Sequence, residues 1–79
     1  MATENLSKAL YVYLHFRSNA GDVLNSDHFL GVGRLRTWAA GDLQEGIYEA
    51  RTRGFVEEAV GGWRLTEAGF REIASVTTS

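Results

Sequence analysis

Leu6, Ala9, Leu10, Tyr13 and Leu14 recur at intervals of one, three and four, the spacing that gathers side chains on one face of an α-helix. The period predicts a first helix capped by Thr3 or Asn5 and running to about Arg17. Ala9 to Phe16 is also rich in aromatic and branched residues, which suits a strand, but the set from Leu6 onward fits a period of 3.6 better than strict alternation. Ser18-Asn19-Ala20-Gly21 ends this helix, with Gly21 suited to a left-handed cap. Val23-Leu24 is an apolar patch between turn signals, enough for a minimal strand. Ser26 predicts the N-cap of a second helix through Phe29 and Leu30. Between Gly31 and Gly41 the pattern is least regular. Leu35, Trp38, Ala39 and Ala40 allow helix there, while Gly31, Gly33 and Gly41 argue for breaks.

From Asp42 the pattern sharpens. Leu43, Ile47 and Ala50 form one apolar stripe behind a capping pair of Asp42 and Glu45, and Gly54 stops the helix. Phe55 to Glu58 and Trp63 to Leu65 read as extended segments on either side of Gly61-Gly62, which predicts a β-hairpin. Trp63 and Leu65 share one face of their strand. Thr66 caps a last helix whose apolar side is Phe70, Ile73 and Val76. The predicted order is helix, short strand, helix, helix, hairpin, helix: an α+β chain, mainly helical, forming one domain over residues 1–79.

Two segments carry a family resemblance. Gly54-Phe55-Val56 follows an amphipathic helix, and Gly62-Trp63-Arg64-Leu65-Thr66-Glu67-Ala68-Gly69 leads into the last one. Together they resemble the winged-helix DNA-binding domains of prokaryotic regulators, in which a recognition helix ends in glycine and two apolar residues, a wing follows, and its second strand runs through Leu-Thr into a helix. Leu30-Gly31-Val32 is similar to the approach to the turn in many helix-turn-helix repressors. The resemblance implies a three-helix core, a short strand, a two-stranded wing and a C-terminal helix. It also implies a recognition helix over Asp42–Arg53 whose outward side meets the major groove.

On that side Gln44, Tyr48, Arg51 and Thr52 are the expected DNA contacts. Glutamine forks onto adenine and arginine onto guanine, while tyrosine and threonine reach phosphate or a thymine methyl. Arg34 and Arg36, just before the helix, are expected as phosphate anchors, and Arg64 is the one base of the wing. The bland alternative is a solvated face on which Glu45 and Glu49 balance Arg51 and Arg53, with the stems of Arg34 and Arg36 packed on Trp38.

Charge pulls against the DNA reading. Ten acidic residues face eight basic ones, for a net charge of −2 and a pI near 5.6, and Glu57 and Glu58 make the wing acidic where a minor-groove grip needs positive charge. Seven of the eight bases are arginine, however, the residue suited to phosphate and guanine forks.

The first helix has apolar residues on more than one side. Tyr11, Val12 and His15 lie away from the Leu6–Leu10–Tyr13 face, which predicts either a homodimer or partner interface or a helix wrapped by the C-terminal one. His15 and His28 are isolated, Ser26-Asp27-His28 is a row and not a triad, and Gly31-Val32-Gly33 lacks the rest of a phosphate loop. No catalytic residue, metal site or cofactor is expected. The absence of cysteine excludes disulfides and thiolate ligands. The acidic start and the short Ala9–Leu14 apolar run suit a soluble cytoplasmic protein with no membrane partner.

Two functions follow as expectations. The first is a small dimeric transcriptional regulator reading two half-sites on double-stranded DNA about one helical turn apart. The alternative is a winged-helix scaffold that binds a protein partner, its acidic surface meeting a basic one, in the manner of small phage or mobile-element inhibitors.

Overall fold

A computed structural model of the chain describes residues 4–77. The order is α1 (Glu4–His15), β1 (Val23–Leu24), α2 (Ser26–Arg36), α3 (Ala40–Thr52), β2 (Val56–Ala59), β3 (Gly62–Leu65) and α4 (Glu67–Thr77). The three strands form an antiparallel sheet in the order β1-β3-β2. This is the predicted α+β winged-helix arrangement.

α1 is the centre of the core. Leu6, Ala9, Leu10, Val12 and Tyr13 are all buried, because α2, α3 and α4 each pack on this helix. That packing corrects two expectations. Val12, expected on an outward partner surface, has 0% of its area exposed, since helices cover more than one side of α1. Leu14, expected inside, is exposed. The closest approach is between α1 and α3, where a Cβ on Gly46 would collide with the Asn5 carbonyl. Only glycine lets the two backbones meet there.

The caps differ from the expected ones. α1 ends at His15, and the left-handed residue just behind it is Arg17, at φ 52°; Gly21, also at positive φ (98°), lies beyond it in the following turn. Thr3 lies outside the described residues, and Asn5 sits inside the helix. α2 is capped by Asn25, one residue before Ser26. The Asn25 side chain accepts from the His28 amide at 3.1 Å, and His28 Nδ1 accepts from the Asn25 amide at 3.1 Å. This is a reciprocal capping box with imidazole in the place usually held by glutamate.

α2 runs straight through Gly31 and Gly33, so Leu30-Gly31-Val32 lies mid-helix, and the turn falls at Thr37, whose φ is 58°. Two helical glycines cost about 2 kcal/mol against alanine. Burial of Phe29 and Val32 contributes about 1.5–3 kcal/mol each and wins. Gly33 also admits Leu43, whose Cδ1 would stand 2.9 Å from a Cβ there.

α3 starts at Ala40, two residues before the predicted cap, and its N-cap Ala39 makes no side-chain bond. Asp42 and Glu45 are drawn instead to α1. The Asp42 carboxylate accepts from Lys8 Nζ at 3.2 Å, and Glu45 accepts from Asn5 Nδ2 at 2.9 Å. Leu43, Ile47 and Ala50 face inward as the stripe predicts. Gly54, at φ 77°, turns the chain into the hairpin. Thr66 Oγ1 accepts from the Gly69 amide at 3.1 Å and donates to the Gly54 carbonyl at 2.6 Å, so one hydroxyl caps α4 and ties it to the end of α3. Ile73 packs on the core, but Phe70 is 40% exposed; Gly69 is the residue that meets the sheet, against Phe55 and Leu65. The Val76 side chain lies outside the described residues.

Candidate functional site

The outward flank of α3 stands between the first turn of α2 and the wing strand β3. These three elements enclose an open cleft of about 340 Å³ lined by Ser26, Phe29, Leu30, Ala40, Leu43, Gln44, Ile47, Tyr48 and Trp63. Phe29, Leu43 and Ile47 belong to the buried core and form its floor. Leu30 (42% exposed) and Tyr48 (58% exposed) form its rim. Among the described residues that line it, none is charged. The cleft thus occupies the side of α3 from which a winged helix is expected to read DNA, and it is apolar.

The hairpin register explains what becomes of the neighbouring charges. Val60-Gly61 forms a two-residue loop closed by the Ala59–Gly62 pair, which sets Glu57 opposite Arg64 and Glu58 opposite Trp63. Arg64 Nη1 then donates to Glu57 at 3.0 Å, and Arg51 Nη2 of α3 lies 3.7 Å from Glu58. Arg53 donates to Glu49 one turn back at 3.1 Å. The arginines of α3 and the wing are therefore already matched by carboxylates.

The other expected DNA contacts are scattered. Gln44 and Tyr48 line the cleft. The Thr52 hydroxyl donates to the Tyr48 carbonyl at 2.9 Å, within its own helix. Arg34 is exposed on the last turn of α2 and meets no carboxylate among the described residues. Arg36 lies 4.6 Å from the Tyr11 ring centre and 5.5 Å from that of Trp38, across the α1–α2 seam. The packing weighed for this arginine put its stem on Trp38; here its guanidinium lies over Tyr11 and, farther off, Trp38. Of the residues assigned to a partner interface, Tyr11 is half-buried and His15 exposed.

Leu30 and Trp63 are the rim and wall residues that pattern reading left out of any site. An apolar residue on the outer side of a helix's first turn was the available signal for Leu30. For Trp63 it was a half-core aromatic on a wing strand.

Inside, the Tyr13 hydroxyl is the notable polar group. Burial pushes its pKa well above the ordinary phenol range, and it donates to the Trp63 carbonyl at 2.9 Å. Among the described residues no buried side-chain nitrogen or oxygen lacks a partner, and no group of three or more His, Asp or Glu side chains is placed to hold a metal ion. No helix is long and apolar enough to cross a membrane among the described residues.

In comparisons with family models, with curated proteins and with solved structures, nothing matches this chain.

Proposed function

We propose that this chain is a winged-helix protein-interaction module, and that the cleft between α2, α3 and β3 receives an apolar segment of a partner protein. The observation that carries this reading is the uncharged lining of that cleft. A DNA reader needs unpaired positive charge on this side, because phosphate contacts supply most of the affinity. Here Arg51 and Arg64 are held by Glu58 and Glu57, and what remains open is an apolar trough with Leu30 and Tyr48 on its lip. Small concave apolar sites with a few polar groups are where partner side chains anchor. The wing glutamates are already paired with Arg64 and Arg51, so the apolar floor, not charge, is the source of affinity.

The experiment is a pair of titrations. A fluorescent mixed-sequence duplex is expected to show no binding at low salt; salt-sensitive binding weakened by Arg51→Ala would overturn the reading in favour of a DNA-binding regulator. The dye anilinonaphthalene sulfonate, which brightens in apolar clefts, is expected to bind the folded protein. Leu30→Glu or Tyr48→Glu should abolish that signal without changing the circular dichroism. Equal dye binding by wild type and both variants would remove the cleft as the site.

A further inference from the structure

On another side of the molecule, five rings stand in series along the α1–α2 seam. Trp38 meets Tyr11 edge-on at 5.4 Å between centroids, and Tyr11 meets His15 at 6.2 Å. His15 meets Phe16 at 4.9 Å, and Phe16 meets His28 at 4.9 Å. The row is partly sunk and partly open: Tyr11, Trp38 and His28 are half-buried and so held in place, while His15 and Phe16 are exposed.

Two arginines adjoin the row. Arg36 lies over Tyr11 and Trp38, and Arg17 follows Phe16 directly. Neither meets a carboxylate among the described residues, whereas Lys8, Arg51, Arg53, Arg64 and Arg71 all do. The charge-matched arginines thus lie around α3, the wing and α4, while Arg17, Arg34 and Arg36 meet no carboxylate among the described residues, and Arg36 packs on the rings. A guanidinium packed on aromatic rings is also pre-oriented, so it loses less side-chain freedom when its N–H edge takes a phosphate. Asp42 is taken by Lys8, which itself lies over Trp38, and Asp27 precedes His28 on the first turn of α2.

We propose that this row binds single-stranded nucleic acid, with unstacked bases lying on the exposed rings and Arg36 and Arg17 on the flanking phosphates. Ring faces are of use only to bases that are not already stacked in a duplex, and stacking tolerates any base because each has a π-face. DNA and RNA single strands share this chemistry. The proposal is independent of the cleft beside α3.

The test is fluorescence anisotropy with labelled oligo-dT and oligo-U strands of about 20 nucleotides, enough to cover a site of this class. Wild type should bind in low salt and weaken steeply as salt is raised. Phe16→Ala, at an exposed ring of the row, should weaken binding about tenfold, the usual scale for loss of one stacking ring. Arg36→Gln, at an exposed position, provides a second variant should Phe16→Ala fail to fold, and Arg17→Gln should lower the salt slope by about one. Tyr48→Ala, in the cleft, should leave strand binding unchanged. Tighter binding of oligo-U than of oligo-dT supports the proposal and assigns the source as RNA; the reverse assigns DNA. Absence of binding to both strands at the lowest salt overturns it. So does binding that survives Phe16→Ala and Arg36→Gln intact.

Discussion

The Tyr13 hydroxyl donates to the backbone carbonyl of Trp63 across 2.9 Å, joining the central helix to the middle strand of the sheet. Tyr13→Phe leaves that carbonyl without its donor, and the expected loss is about 1–2 kcal/mol of unfolding free energy by urea denaturation. The same contact sets an alkaline limit. Burial raises the phenol's pKa in the folded state above its unfolded value of 10.0. Above that value the unfolded chain has released a proton that the folded chain still holds. Stability from this group is therefore complete below about pH 10 and falls as pH rises further, by up to about 1.4 kcal/mol per unit. Urea curves at pH 8 and pH 11 should show a smaller alkaline loss in Tyr13→Phe than in wild type. Equal losses in the two proteins would remove Tyr13 as the cause.

Gly46 and Gly31 should respond in opposite ways to the same substitution. At Gly46 an added methyl meets the Asn5 carbonyl and Ala9, so Gly46→Ala is expected to cost about 1–3 kcal/mol through forced separation of α1 from α3. At Gly31 nothing stands within 4 Å of the added carbon and the residue is helical. Gly31→Ala should therefore stabilise the protein by about 0.5–1 kcal/mol. Thermal unfolding of the two variants checks both signs.

The Asn25–His28 box makes a third prediction. Asn25→Ala removes the side-chain acceptor for the His28 amide at the start of α2, at an expected cost of about 0.5–2 kcal/mol. Ser26→Ala, at the residue the sequence pattern favoured as the cap, should change stability by less than this. A larger loss from Ser26→Ala would show that the cap is misplaced.

These residues also mark where the sequence was legible. The stripe of Leu43, Ile47 and Ala50, the Gly54 stop, the hairpin and the Thr66 cap are all local signals, and the structure realises each of them. Asp42 and Glu45 form an equally good local signal, yet their partners are Lys8 and Asn5, 34 and 40 residues away. Helix docking, which no window of sequence contains, outcompeted the cap. Gly31 and Gly33 misled for a related reason, since the burial of Phe29 and Val32 carries α2 through them. Tyr11 and His15 stood out as apolar and aromatic residues on an outer face. Val12 could not be separated from them because three helices pack on α1. The cleft draws its walls from three elements, so its uncharged lining emerges only once they are assembled.

If the wing glutamates are what withholds its arginines from phosphate, their removal should uncover a DNA-binding surface. Glu57 pairs with Arg64 and Glu58 with Arg51, on side chains about half exposed. Each pair is screened by solvent and contributes no more than about 1 kcal/mol, so the double variant Glu57→Gln/Glu58→Gln should fold with nearly wild-type stability. Its arginines would then be free on either side of the wing. Duplex binding at low salt is expected to rise, with a dependence of log affinity on log salt steeper by up to about two. Glu67→Gln/Glu72→Gln, which removes two charges on α4 and frees Arg71 instead, controls for the change in net charge. A double variant that binds duplex no better than this control would show that pairing is not what keeps the face from DNA. The shape of the apolar cleft itself would then be the cause.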